Sequence, residues 1–198
     1  SFPYWFHGIM DDIRIYNRVL NMQEIYSLCD LNSSVTNNII NHYASVNDFI
    51  PCSNTIVVDS SNNFFVGDTV LIIQMKGSIV DSTNTPTFGD VININSCGNY
   101  EINFVQNVVG NNITLLNNLE RNYDFINGVV QLVRIPSFQN YTISSSQTAL
   151  KWNGSKGGVY ALIVLDTLVI NDTISVSGKG FNGGVSNVIN STIGTCNQ

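Results

Sequence analysis

A chain of 198 residues with 43% hydrophobic content is long enough to bury one or two cores. Only 11% of its residues are charged and the formal net charge is −6, so the clustered Lys and Arg of a nucleic-acid footprint are missing and nucleic acid is excluded as a partner. The longest apolar run, 159–165, is strand-sized, so no segment is long enough to span a bilayer as a helix. Asn, Ser and Thr stand where Lys and Glu are usual, a mix that favours turns and strand faces over exposed helices.

The first thirty residues predict one strand and one short helix. Ile9, Ile13 and Ile15 share a side of an extended segment over 8–16. Asn21 is placed to cap the helix, Glu24 answers it three residues on, and Leu20 with Ile25 forms the staple across the cap. Ile25, Leu28 and Cys29 give the helix one apolar face. Asp11 and Asp12 are adjacent on the strand and point to opposite faces, so they do not share one metal ion, and no metal site is expected.

Residues 37–140 read as a small β-barrel or sandwich, with short strands alternating with Gly- and Asn-rich turns. Strands are expected at 55–59, 69–75, 91–94, 100–109, 113–116 and 129–135. Gly67 and Asp68 supply the turn before the second of these, and Gly110-Asn111-Asn112 joins the fourth and fifth as a hairpin. The polar stretch 78–90 carries Pro86 and Gly89. It is the longest loop of the unit and its candidate contact surface.

From 141 to 198 the pattern changes to brief apolar runs with two-residue polar breaks. Val159, Ala161, Ile163 and Leu165 lie on one side of an extended chain, followed by Leu168 with Ile170 and by Ile174 with Val176. Asp166-Thr167 and Asn171-Asp172 are the breaks. Strands this short do not bury a face alone, so the segment is expected to open a stacked, solenoid-like sheet. A hairpin turning at Asn171-Asp172 is the competing arrangement. The aromatic start at Ser1 and the Gly- and Asn-rich finish at Gln198 both lead us to expect a piece of a longer protein.

The residues that carry chemistry are few. Cys29, Cys52, Cys97 and Cys196 form no C-x-x-C pair, and only His7 and His42 are available to complete a zinc site. Cys52 and Cys97 each precede a strand of the central unit, which predicts a disulfide closing a long loop and stabilising by roughly 3–4 kcal/mol; two free buried thiols are the alternative. The pairing of Cys29 and Cys196 stays open. Two histidines near one end do not make a catalytic triad. Asp81, Asp90, Glu101, Asp124, Asp166 and Asp172 are the acids available to a glycosidase or lyase, although Asp166 and Asp172 fall at turns. Lys151, Lys156 and Lys179 lie near glycines without a phosphate-loop motif, so they read as solvated. Trp5 and Trp152 are the candidate sugar-stacking residues, against the alternative that each is simply buried. The triplets that begin at Asn112, Asn140 and Asn171 match glycan acceptors but follow from an Asn-rich composition.

Two resemblances join these readings. FHGIMDDIRIYNRVLNMQEIYSL, within residues 1–30, resembles the closing strand and helix of laminin-G-like, concanavalin-type jelly rolls, with their G-x-I-D-D-x-R-I-Y-N-R-x-L-x-x-x-E-I pattern. VGDTVLIIQMKG (66–77), GNYE (98–101), VQLVRIP (130–136), WNG (152–154), GGV (157–159) and GKGFNGG (178–184) resemble modules of giant adhesins of gliding bacteria, exported by the type IX route. Asn182 stands where an Arg is usual in the last motif. Asp-Thr-apolar triplets at 68–70, 166–168 and 172–174 resemble the O-glycosylation sites of such bacteria.

The resulting expectation is an all-β chain: a jelly-roll strand and helix at 1–30, a barrel or sandwich at 37–140, and a stacked region from 141. Its function would be that of a non-enzymatic structural or adhesive segment at the cell surface or outside the cell. It would need no cofactor, and its partners would be glycans or surfaces and the secretion machinery. A β-helical carbohydrate-active enzyme and a filament subunit are the alternatives.

Overall fold

The computed structural model describes residues 38–182. In chain order the strands are β1 His42–Ile50, β2 Thr55–Val58, β3 Thr69–Lys76, β4 Ile79–Val80, β5 Val91–Asn93, β6 Tyr100–Val109, β7 Asn112–Leu115, β8 Val129–Ile135, β9 Ser137–Ile143 and β10 Ile163–Ile170. The fold is all-β and mostly antiparallel. The strand and helix expected at 1–30, with Trp5 and Cys29, lie outside the described residues, as does Cys196.

Six strands close into a barrel in the order β1-β2-β7-β6-β3-β8, with β8 pairing back onto β1. Of the two architectures open in the sequence, the barrel is the one that forms, and closure leaves it no unpaired ladder edge. Period-two alternation fills its interior: Ala44 and Val46, Ile56 and Val58, Val70 and Ile72, Ile113 and Leu115, Val130 and Leu132 point inward and are buried. The antiparallel registers gather the β1–β2 turn, the end of β3 and the starts of β6 and β8 at one mouth. Phe49 and Phe125 plug that mouth, their rings stacked with centroids 5.7 Å apart. Phe64, from the β2–β3 loop, is buried in the same core.

All six expected central strands appear within a residue at each end. The 78–90 loop is shorter than expected, because Ile79 and Val80 pair with Asn93 and Val91 to make a two-stranded arm. Strand β1 was not foreseen: a register shift between Val46 and Asp48 breaks its alternation.

Strand β8 is buried on both faces. Val130 and Leu132 fill the barrel, while Gln131, Val133 and Ile135 are covered from outside. Side-chain amides fasten that cover. Gln131 donates from Nε2 to the Gly157 carbonyl (3.0 Å) and accepts from the Gly157 N–H (2.8 Å). Asn41 does the same for Ala161, donating at 2.6 Å and accepting at 3.0 Å. Each amide thus reproduces the paired bonds that a neighbouring strand would make. The Tyr43 hydroxyl donates to the Val159 carbonyl and accepts from the Leu150 N–H. Gly157 allows the close approach: at φ +111° a Cβ there would stand 2.7 Å from the Lys151 carbonyl oxygen.

Beyond the barrel the pairing turns parallel. Strand β9 pairs with β10 at an offset of 26 residues (Ser137 with Ile163, Phe138 with Val164), then of 27 (Asn140 with Thr167 through Ile143 with Ile170). The offset of 27 continues to the bridge between Gln147 and Ile174 and to the bond from the Trp152 N–H to the Lys179 carbonyl. Asn38 and Ile39 meet Thr148 in parallel on the other side. Two sequence expectations are corrected here. Asp166-Thr167 is not a break but lies within β10, at the register shift between Val164 and Thr167. No hairpin forms at Asn171-Asp172, since Ile174 bridges to Gln147 rather than back across the turn.

Candidate functional site

Gln74 continues the inward-facing series of β3 after Val70 and Ile72, and it brings an amide into the barrel mouth. Fully buried, it is satisfied by the end of its own strand and by two loops: Nε2 donates to the carbonyls of Lys76 (3.0 Å) and Asn95 (2.8 Å), and Oε1 accepts from the Asp124 N–H (2.8 Å). Gly77 closes over it at φ +138°, where a Cβ would stand 2.7 Å from Gln74 Nε2. Above this clamp opens a cleft of about 780 Å³, within the roughly 300–1,000 Å³ usual for small-ligand sites.

Three parts of the fold wall the cleft. Residues 75–79 supply Met75, Lys76, Gly77, Ser78 and the exposed Ile79. The loops around the mouth supply Asn95, Cys97 and Asn127. The C-terminal segment supplies Phe181, which is 54% exposed and packs edge-on against Trp152, centroid to centroid 5.2 Å. Asn95 and Ser96 are consecutive left-handed residues, at φ 47° and 63°. Such backbone strain persists only where the surroundings fix it, here through the Gln74 bond to the Asn95 carbonyl. Nearby, the Asp124 carboxylate turns into its own loop, accepting from the N–H groups of Asn127 (2.9 Å) and Ile126 (3.1 Å). The Asn127 N–H, first among several donors, holds it below the usual carboxylate range.

The residues singled out in the sequence fare differently. Trp152 is 3% exposed, so it is not an open sugar platform: its ring is closed in by Phe181, and its backbone N–H is bonded to Lys179. No disulfide joins Cys52 and Cys97, both of which are free thiols. Cys52 sits in the β1–β2 turn, while Cys97 donates to the Met75 carbonyl on β3 at 3.4 Å. Strands β2 and β3 are opposite one another in the six-strand ring, and neighbouring strands are about 4.8 Å apart. That spacing puts the two thiols beyond the roughly 7 Å Cα separation a disulfide can bridge.

The acids are spread over separate elements. Asp81 accepts from the hydroxyls of Thr83 (2.6 Å) and Thr87 (2.7 Å) at the arm, and these bonds hold its carboxyl low. Glu101 accepts from the Glu120 N–H on the barrel wall, and Asp166 lies in β10. Lys156, expected to be solvated, instead pairs with Asp59 at 2.5 Å. His42 is in β1; burial first, and then Arg134, keeps its imidazole below the usual range. Among the described residues no group of three His, Cys, Asp or Glu is placed to hold a metal, and no helix is long and apolar enough to cross a membrane.

The cleft itself was only half legible. The 78–90 stretch pointed to one wall, but Asn95, Asn127 and Phe181 did not stand out. The available signals were Asn95-Ser96-Cys97-Gly98, a run rich in turn formers, and Phe181, a lone aromatic between glycines.

No protein-family model matches the chain, and no curated protein does. Among solved structures it is similar to the gp54 tailspike of Acinetobacter baumannii bacteriophage AP22, in complex with A. baumannii capsular saccharide. The match has 16% identity and a TM-score of 0.33, over 66% of this chain and 21% of that one. The chain therefore spans about a fifth of that tailspike's length. A likeness at this level transfers neither fold nor ligand.

Proposed function

We propose that this chain is a structural and adhesive segment, without catalysis of its own, of a large extracellular or cell-surface bacterial protein, where it spaces or presents domains that bind glycans or surfaces. The observation that supports this is the parallel pairing at an offset of 26 to 27 residues, starting directly on the wall of a closed barrel. Pairing at a near-constant offset is how a β-solenoid lengthens, layer on layer, and a solenoid anchored on a barrel makes a stiff spacer. The motif likeness to type IX-exported adhesins, and that of residues 1–30 to a laminin-G-like jelly roll, support the surface setting.

Two measurements on the full chain test the reading. Hydrogen exchange is expected to protect the amides of Gln147, Asn171 and Ser175, which donate between the parallel layers. Rapid exchange there would remove the coiled layer. Incubation with a panel of polysaccharides is expected to release no new reducing ends. Release that disappears in Glu101→Gln or Asp124→Asn would favour the enzyme instead.

A further inference from the structure

We infer that the cleft at the barrel mouth binds an anionic oligosaccharide, such as a short uronate chain, with Phe181 as its stacking surface and Lys76 as its charge contact. The inference rests on the adhesive half of the reading above. Exchange tests the scaffold and binding tests the cleft, so either can fail while the other stands.

Four observations converge on this ligand class. First, the walls combine apolar and uncharged polar groups: Phe181, Ile79 and Met75 with Ser78, Asn95 and Asn127. A sugar offers the same combination, with C–H faces that pack on an aromatic ring and hydroxyls that pair with amides. Phe181 is suited to the first role because Trp152 supports it edge-on from below while 54% of its surface stays open. Trp152 thus serves behind the stacking residue rather than as one.

Second, the charge in the cleft runs against that of the chain. The formal net charge is −6, yet no carboxylate lines the cleft, and its one charged side chain is Lys76. Arg134 is paired with Asp68 and Lys156 with Asp59. Among the described residues no carboxylate pairs with Lys76, whose ammonium stands 6.0 Å from the Trp152 ring centroid, the outer limit of a cation–π contact. The nearby Asp124 carboxylate is occupied by the N–H groups of its own loop.

Third, one buried side chain braces the walls of the cleft. Gln74 fixes Lys76, Asn95 and Asp124 from one buried amide. Fourth, Asn95 and Ser96 are two of the four non-glycine residues with positive φ among those described, and they sit together at this wall. Strain held in place at a preformed cleft is what a binding site requires.

The test is calorimetric titration of the full chain with a short oligogalacturonate and with the same oligomer methyl-esterified. The free acid is expected to bind, to lose affinity as salt is raised, and to bind several-fold more tightly than the ester. Phe181→Ala is expected to weaken both ligands by roughly tenfold, whereas Lys76→Gln should leave the ester unchanged and reduce the acid to the ester's affinity. Both side chains are exposed, and unchanged thermal midpoints will show that the variants fold. Absence of binding by the parent chain would overturn the inference, as would equal affinity for acid and ester or binding unaltered in both variants.

Discussion

The barrel and the parallel pair behind it are made from similar short apolar strands, yet they solve opposite problems. In the barrel every strand has two neighbours and the inward residues meet one another, so the core is complete. In the pair, β9 is flanked by β10, and among the described residues no strand pairs with the far edge of β10. Ile143 is fully buried, whereas Ile170, its partner in register one layer on, is 54% exposed. A closed sheet completes itself, while a two-stranded pair leaves an edge strand exposed. The two regions are joined by side-chain amides, one tyrosine, the Lys156–Asp59 ion pair and the cover over Val133 and Ile135, rather than by a shared ladder.

The sharpest contrast is expected in the barrel interior. Leu132 is fully buried in the core, and Leu132→Ala is expected to cost about 3 kcal/mol, read as a lower midpoint in urea with the slope unchanged. A cost under about 1 kcal/mol, the level of a surface change, would mean that the barrel is not the stable body of the chain.

Next in size is the junction. Gln131→Leu keeps the volume but strands the buried N–H and carbonyl of Gly157, at a cost of about 2 kcal/mol. The expected signature is local: faster proteolysis within 144–162 while the barrel amides stay protected. If barrel and cover loosen together, the two regions are one cooperative unit and the contrast fails.

A smaller effect follows from Tyr43. Burial pushes its hydroxyl up to about 12, above its ordinary value of about 10. The folded state therefore resists loss of that proton. The stabilisation is fully present below pH 10 and is lost as pH rises from 10 towards 12. Denaturation midpoints taken across this range should fall more steeply for the parent chain than for Tyr43→Phe, which has no proton to lose. Parallel curves would mean that Tyr43 does not feel the burial.

How much of this was legible in the sequence depended on whether a residue's partner was near. Strands such as Asn112–Leu115 carry their own signal, because alternation is local. Strand β9 does not: SFQNYTI is polar on its open face, and it becomes a strand through its pairing with β10, more than twenty residues away. The same holds for the amide clamps. Nothing next to Gln131 or Gln74 marks them as buried, since their partners are Gly157, Asn95 and Asp124. The expected disulfide failed for that reason too: spacing along the chain put Cys52 and Cys97 beside one unit, but strand order put them on opposite sides of it. Trp152 stands out in the sequence as an aromatic, but nothing beside it marks that it is buried with Phe181 packed on its ring.

A matched pair of truncations, one of which carries the smallest expected effect, separates the two regions best. Ile143 and Ile170 are the same side chain in the same register of successive layers, so truncating each to Ala removes the same atoms from different surroundings. Ile143→Ala should cost about 2–5 kcal/mol, the range for a buried aliphatic, while Ile170→Ala, largely in water, should cost less than about 1 kcal/mol. Because the two variants share one chemistry, their difference reports cover alone. Matching losses would mean that β10 carries a further layer, which is the behaviour of a coil that continues rather than one that ends there.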